Sequence, residues 1–515
     1  MRTRGDSRRV FLCGVAAAAL LAGSSLGSAT AGGGRSAAGP DVSEDSLRGH
    51  LSFLASDLLE GRDTPSRGLD LAAEYLAAQF RRAGLEAPIE GGYFQIANWK
   101  MQEPGREGFS LSITTGGKST RVGVEHVGLG SGPAASVENA PAAIVNTRQG
   151  LDVAQLPEEL KDRVVVAEAA PVPADRTERF QAIRRRQEFA AAAQKKGAVG
   201  LIFVQRSGVP LRGVGRLVNP ESPPPPAPTG GGLPQLTVVD PELNAWYDEA
   251  AAQESRISFS LPATAERPVV LKNVVGVLRG SDPVLKNSYV MVSAHYDHVG
   301  MREGAGDQIY NGANDDGSGT VGVIELASAL SRLPARPKRT IVFVAFFGEE
   351  KGLLGSRWYG AHPVFPLKDT VAQVNLEQIG RTDSSEGPQV NRAGLTGYDY
   401  SEVGKILSEA GQATGVTVYH HPMNSDAFFN RSDNASLAEV GIPAHTLCTA
   451  FVYPDYHQPG DHWEKIDYAN MARVVRTVAR GLEILGNRPE APAWSETNPR
   501  ASRYLAAWKK LRAAQ

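Results

Sequence analysis

Thiols are scarce: the 515 residues hold two cysteines, Cys13 and Cys448. Cys13 lies in a leader-like segment, so the rest of the chain can form no internal disulfide and must rely on core size or a bound metal. Aromatics make up 7%, and neither sign of charge dominates, with 54 Lys and Arg against 56 Asp and Glu for a formal net charge of −2. That balance excludes a whole-molecule attraction to nucleic acid or to an acidic membrane surface. Long apolar runs are also missing; the one near the N-terminus is short and broken by Gly and Ser, too little to span a bilayer. At 42% hydrophobic and 21% charged residues, the chain has the composition of a soluble globular protein of two or three domains. Its histidines are unevenly spread, eight of the ten lying between His295 and His462.

Arg8 and Arg9 precede an Ala-rich stretch that ends near Leu26, and Ala29-Thr30-Ala31 offers the small residues a signal peptidase requires. Residues 1–31 therefore read as an export leader resembling a twin-arginine signal. The mature protein is expected in the periplasm or outside the cell, without membrane insertion, and at a net charge of −5. Residues 32–40 read as a Gly/Ser/Ala-rich tether.

Apolar spacing predicts one helix from Asp45 through Leu59, ending at Glu60-Gly61-Arg62, and a second from Leu69 to Phe80, stopped by Gly84. Phe109–Ile113 alternates as a strand. Between about 131 and 262 the texture changes. A strand over Arg163–Ala167, a basic helix over Phe180–Lys196 and a strand ending at Val204 lead to a Pro- and Gly-rich loop at 223–232 and a further strand over Leu233–Val239. The acidic residues around that helix make it a solvated face rather than a nucleic-acid surface. After Pro268, strands at Val274–Leu278, Tyr289–Ser293, Thr340–Phe346, Ala372–Leu376 and Ala444–Leu447 alternate with helical segments such as Thr320–Leu333. This alternation predicts an α/β fold, a sheet with helices on both faces. The Arg/Ala-rich C-terminal end reads as an appended surface helix.

In such sheets ligands bind beyond the carboxyl ends of the strands, and the polar residues fall there repeatedly. His295 and Asp297 lie two apart, so both can face one site, with Asp297 placed to hold the second ring nitrogen of a metal-bound His295. The same alternation turns His298 to the other face, as a structural histidine. Asp315 and Asp316 sit in a Gly-rich turn, where they could serve as helix caps or suit a hard cation. Glu349 and Glu350 follow a strand and point differently, so one can ligate while the other moves protons. Glu377 ends another strand, and Tyr456-His457 supplies a histidine in a late loop. Two histidines and several carboxylates without a thiolate form an N/O donor set suited to zinc in an open hydrolytic site.

Taken in order, His-x-Asp at 295–297, Gly-Ala-x-Asp-x-x-Ser-Gly at 312–319, Gly-Glu-Glu at 348–350, Asn-Leu-Glu at 375–377 and Tyr-His-x-Pro-x-Asp at 456–461 resemble the clan MH zinc exopeptidases. That family includes bacterial leucyl aminopeptidases, glutamate carboxypeptidase II and the glutaminyl cyclases. Leu58-Leu59-Glu60-Gly61-Arg62 belongs to the same resemblance. It implies a mixed, mostly parallel sheet flanked by helices, with an inserted α+β protease-associated domain at 131–262. The insert would separate an N-terminal part (32–130) from the catalytic domain (263–487), and a tail helix (488–515) would follow.

Carried over, the resemblance implies two zinc ions, one on His295 and Glu377, the other on Glu350 and His457, with Asp315 bridging and Asp316 contributing a cis bond. Glu349 would be general base and acid, and Tyr456 would assist the oxyanion. Peptides are the implied substrates, with removal of N-terminal residues as the activity. A carboxypeptidase or dipeptidase on the same centre is the rival, and a cyclase or an inactive binding module stand further off. Two departures bear on specificity: Glu377 stands where many relatives carry Asp, and Asn434 follows Ser432-Asp433 where His is common.

Overall fold

The computed structural model describes residues 41–130, 132–170, 176–207, 215–222, 232–249, 254–302 and 306–513. The leader at 1–31, the tether, and the loop expected at 223–232 except Gly232 lie outside these residues.

The larger of two sheets has nine strands. In spatial order they are Thr417–Tyr419, Arg392–Leu395, Ala444–Cys448, Thr370–Leu376, Tyr289–His295, Thr340–Phe346, Ala265–Leu278, Phe94–Glu103 and Arg216–Val218. Four adjacent strands, from Ala444–Cys448 to Thr340–Phe346, run parallel, so their carboxyl ends share one edge. The strands beyond Thr340–Phe346 are antiparallel. Every residue of Tyr289–His295, Thr340–Phe346 and Thr370–Leu376 is buried, which is why Thr340–Phe346 is a nearly continuous apolar run and not an alternating one, while the buried Ser293, Gln373 and Asn375 of the other two hydrogen-bond one another.

Helices cover the sheet. Gly319–Ser331 is buried over all but its last residue and packs beneath the amphipathic helix Tyr468–Asn487, whose first turn is capped by Asp467 accepting from the Asn470 N–H at 2.9 Å. Glu44–Leu54 and Arg67–Arg82 start at Ser43 and Ser66 caps and carry acidic residues in their first turns. The second turns off at Gly84 with φ of 76°, as its sequence predicts. The C-terminal helix Ser502–Ala513 is more than an appendage: Tyr504 is buried in a cluster with Phe429, Tyr400 and Trp494.

The smaller sheet has eight strands, in the order Lys118–Arg121, Ser110–Thr115, Ser255–Leu261, Ala135–Val145, Val164–Glu168, Gly200–Val204, Gln235–Val238 and Val127–Leu129. Val164, Val166, Ile202 and Val204 fill one core. Phe189, from the helix Arg176–Lys195, packs with Val165, Leu201 and Phe203 in the other. This sheet begins at residue 110, not 131: strands at 110–115, 118–121 and 127–129, expected with the N-terminal part, pair here. Glu103 and Ala265 are register partners in the larger sheet, so the chain leaves and returns at one point. Alternation identifies a strand without naming its partner, and for 110–115 and 127–129 partners lie more than a hundred residues away. The short strand Arg216–Val218 comes from within the inserted stretch and pairs with Phe94–Glu103 in the larger sheet.

Candidate metal centre

The shared edge of the four parallel strands collects the predicted residues. His295 ends its strand fully buried. Its Nδ1 lies 3.2 Å from the Asp297 carbonyl and 3.5 Å from Asp297 Oδ1. Its Nε2, 3.4 Å from Asp315 Oδ1, has no hydrogen-bond partner. Asp297 in turn accepts from Thr64 Oγ1 at 3.1 Å and from the Glu349 N–H at 3.1 Å, so one carboxylate orients both the histidine and the Glu349 loop.

Asp315 and Asp316 sit in the turn Ala313–Ser318, reached through Gly312 at φ of 57°, and the peptide between them is cis. Asp461 fixes this turn by accepting the N–H groups of Asn314 and Asp315 at 3.0 and 3.1 Å. Asp316 accepts from Gly319 and Gln378 at 3.0 and 3.1 Å, tying the turn to the end of the strand that delivers Glu377. Asn314 Oδ1 does the same for Gly380 and Arg381. Glu349 and Glu350 follow Gly348, whose φ of 68° turns the chain sharply out of its strand. Glu350 Oε1 lies 3.0 Å from His457 Nε2, and Asp315 Oδ2 lies 3.1 Å from the same nitrogen. Tyr456 stacks on His457, with ring centroids 4.1 Å apart.

Two groups of ligand atoms result, each within 4.8 Å: His295, Asp315 and Glu377, and His298, Asp315, Glu350 and His457. Asp315 belongs to both. His298 departs from expectation: it is fully buried with Nδ1 2.9 Å from Glu350 Oε1, inside the cluster and not on an opposite face. Its strand ends at His295, so two-residue alternation no longer governs position 298. Arg62, Thr64 and Asp461 were also not given roles by sequence reasoning; the runs Leu58–Arg62 and Tyr456–Asp461 were the available signal.

The electrostatics divide the carboxylates. Burial would raise Asp315, but His295 and His457 hold it well below the usual range. Burial and Asp315 likewise raise Glu350, while His298 and His457 bring it down to about 2. Burial pushes Glu377 up to about 7, with His295 opposing and Asp315 adding to the rise. Glu349 is raised well above its usual value by burial, opposed by His295 and reinforced by Glu377 and Glu350. Orphaned buried atoms, namely His295 Nε2, Glu350 Oε1 and Glu377 Oε2, converge with imidazole and carboxylate donors. This donor set fits zinc.

A small pocket opens beside Glu377, walled by Phe428, Phe451, Thr446 and Cys448, with Arg431 also lining it. Cys448 is a buried free thiol, raised by burial. Asn434, a position expected to bear on specificity, is buried and spent on structure: it donates to the Phe429 carbonyl at 2.9 Å and accepts from Thr446 at 2.7 Å.

Comparison with known proteins gives the same picture. The model of peptidase family M28 matches residues 273–482. A probable zinc metalloprotease of Pyrenophora tritici-repentis (strain Pt-1C-BFP) is 35% identical over 302 residues, 48% of this chain and 67% of that protein. Aminopeptidase YwaD of Bacillus subtilis (strain 168) is 33% identical over 224 residues, 42% of this chain and 45% of the relative. The chain thus spans about half to two thirds of these relatives' length. Among solved structures, BSAP, a zinc aminopeptidase from Bacillus subtilis, superposes with a TM-score of 0.53 at 18% identity, covering 88% of this chain and 97% of the other. An aminopeptidase from Aneurinibacillus sp. strain AM-1 gives 0.51 at 19% identity, with the same coverage. At these identities the likeness is one of fold.

Proposed function

The chain belongs to peptidase family M28, and from that premise we propose that it is an exported aminopeptidase that removes N-terminal residues from peptides at a centre of two zinc ions. The observation that carries this reading is the pair of ligand groups joined by Asp315. His295, Asp315 and Glu377 would hold one ion, and Asp315, Glu350 and His457 the other, with His298 beside the second. Zinc held there would supply a Lewis acid and lower the pKa of a water in the site.

The chain's own residues supply the rest. Glu349, anchored through its backbone N–H to Asp297, takes the proton of the attacking water and returns it to the leaving amine. Burial, which favours its protonated form, suits a group that must hold a proton between those steps. Tyr456 donates from its hydroxyl to the developing oxyanion. Asp297 and Asp316 position the site, Asp297 through His295 and Asp316 through the backbone at Gln378. The crowd of carboxylates around Glu377 suits a substrate's free ammonium group.

A second reading, carboxypeptidase or dipeptidase, draws on Arg431, whose guanidinium at the pocket beside Glu377 could take a substrate carboxylate. A panel of aminoacyl and N-blocked peptides, run with and without chelator, separates the two. Cleavage of free-amine substrates alone, abolished by chelation, is expected. Cleavage of N-acetylated peptides but not free-amine ones would establish the rival, and chelator-insensitive turnover would defeat both.

Export rests on the leader at 1–31, and intact-mass analysis of secreted protein beginning after Ala31 is the expected result. No helix among the described residues is long and apolar enough to cross a membrane. The inserted sheet is assigned to the protease-associated type on the order of its elements.

A further inference from the structure

Arg62 closes the Leu58–Arg62 run and takes no part in the mechanism above, yet it is 1% exposed and lies directly behind the metal centre. Its guanidinium meets no carboxylate within ion-pair distance among the described residues. Instead it donates to four backbone carbonyls: Nε to Tyr296 at 2.9 Å, Nη1 to Leu54 at 2.5 Å and Asn311 at 2.7 Å, and Nη2 to Gly312 at 2.9 Å. Tyr296 lies between His295 and Asp297, and Gly312 opens the turn bearing Asp315. The Arg62 carbonyl also accepts from the His298 N–H at 3.2 Å. One side chain and its own backbone thus span two of the segments that build the cradle.

The chain strains to put it there. Glu60, Gly61 and Arg62 all have positive φ, of 49°, 67° and 50°. Two of these are non-glycine residues in a conformation that costs them energy. A Cβ on Gly61 would stand 2.4 Å from the Tyr310 carbonyl oxygen, so glycine is required. Burial lowers the Arg62 pKa to about 10, with Asp297, Asp461, Asp316 and Asp315 pulling it back, so the charge persists at neutral pH. Arg381 offers the contrast: it is also near the turn, but its guanidinium is taken by Asp383 and Asp455. Arg62 is satisfied by dipoles and leaves its net charge to the surrounding carboxylates.

We propose that Arg62 is a positioning residue for the metal cradle, a fixed internal cation that holds the two segments and their carboxylates at metal-binding separation before any metal arrives. The inference rests on the reading that this cradle binds zinc. Without zinc, the charge of Arg62 offsets carboxylates that otherwise repel one another. With zinc in place the ions do that work, and Arg62 matters less. Its removal therefore weakens the metal-free protein more than the loaded one.

The test compares the full mature chain as wild type, Arg62→Lys and Arg62→Met by thermal unfolding, in chelator and in excess zinc. Arg62→Met is expected to raise the zinc-induced gain in Tm by about 3 °C or more over wild type. Arg62→Lys keeps the charge and loses the fork, so it should melt lower in both states with the wild-type gain. Equal losses for Arg62→Met with and without zinc would reduce Arg62 to packing and overturn the proposal. Should Arg62→Met not fold, amide hydrogen exchange on chelated wild type decides. Segments 295–298 and 311–319 are expected to stay nearly as protected as in loaded protein, and their loss of protection on chelation overturns the preformed cradle. If zinc leaves the wild-type Tm unmoved, it is the zinc reading that fails, a different outcome from unequal variants.

Discussion

Each sheet has parallel strands whose carboxyl ends gather charged residues, and the two ends treat charge in opposite ways. In the larger sheet His295, His298, Asp315, Glu350 and Glu377 are removed from water and face one another with buried atoms left unpartnered. In the smaller sheet Glu168 ends its strand among Arg148, Arg206 and Asp248, with Arg206 to Glu168 at 2.9 Å and to Asp248 at 2.7 Å. Those side chains are 19–55% exposed and each finds an opposite charge within the network. The same topology yields a reactive edge in one case and a solvated one in the other. Depth of burial and incomplete partnering make the difference, because low dielectric magnifies each unmet interaction and water erases it.

Breaking the contrast at its strongest point means changing Glu349. Glu349→Gln is expected to lower turnover about 10³- to 10⁴-fold while zinc content, read by elemental analysis, stays at the wild-type level. Near-normal turnover with metal bound would remove the proton-shuttle role. In the smaller sheet the largest effect should come from apolar packing. Phe203→Ala, deleting a buried ring beside Phe189, should cost about 3–4 kcal/mol in denaturant melts and leave zinc content unchanged. Loss of zinc in that variant would show the two regions to be coupled.

A third measurement concerns His445, buried in the larger sheet with Nε2 2.6 Å from Ser401 Oγ and Nδ1 2.9 Å from the Thr396 carbonyl. Burial lowers its pKa from 6.5 to about 4, the Thr396 contact opposing. An unfolded chain takes up this proton below pH 6.5, while the folded one resists until about 4. Its contribution to stability is therefore intact above pH 6.5 and lost as pH falls to 4, up to about 3 kcal/mol. Tm measured across that window should fall less steeply with falling pH in His445→Gln than in wild type. The smallest effect is expected at the solvated edge: Arg206→Ala should cost no more than about 1 kcal/mol, shrinking in high salt. A loss several times larger would mean this network behaves like the buried one.

Much of this contrast was written in the sequence. Thr340–Phe346 was legible to the residue because a strand covered on both faces must be an unbroken apolar run, and the polar residues after each run marked the reactive edge. The histidine and carboxylate types at that edge were legible from the residues themselves, while their division into two groups came from the resemblance. What escaped notice depends on distant contact. The strands at 110–129 look local, but their sheet is set by partners such as Ser255–Leu261. His298 follows a strand that has already ended, so its direction comes from the loop. Arg62 carries no role in the sequence alone, because its backbone partners lie up to 250 residues away.

The strand Arg216–Val218 carries a consequence for taking the molecule apart. It lies against Lys100–Gln102, at the border of the larger sheet, where Ile96 is 41% exposed. Excising the inserted stretch by joining Glu103 to Ala265 looks simple, since the two residues are neighbours. Yet it would strip that border at Lys100–Gln102 and leave the whole outer edge of Phe94–Glu103 as a template for another molecule's backbone. The shortened protein would be expected to keep its interior and lose its solubility.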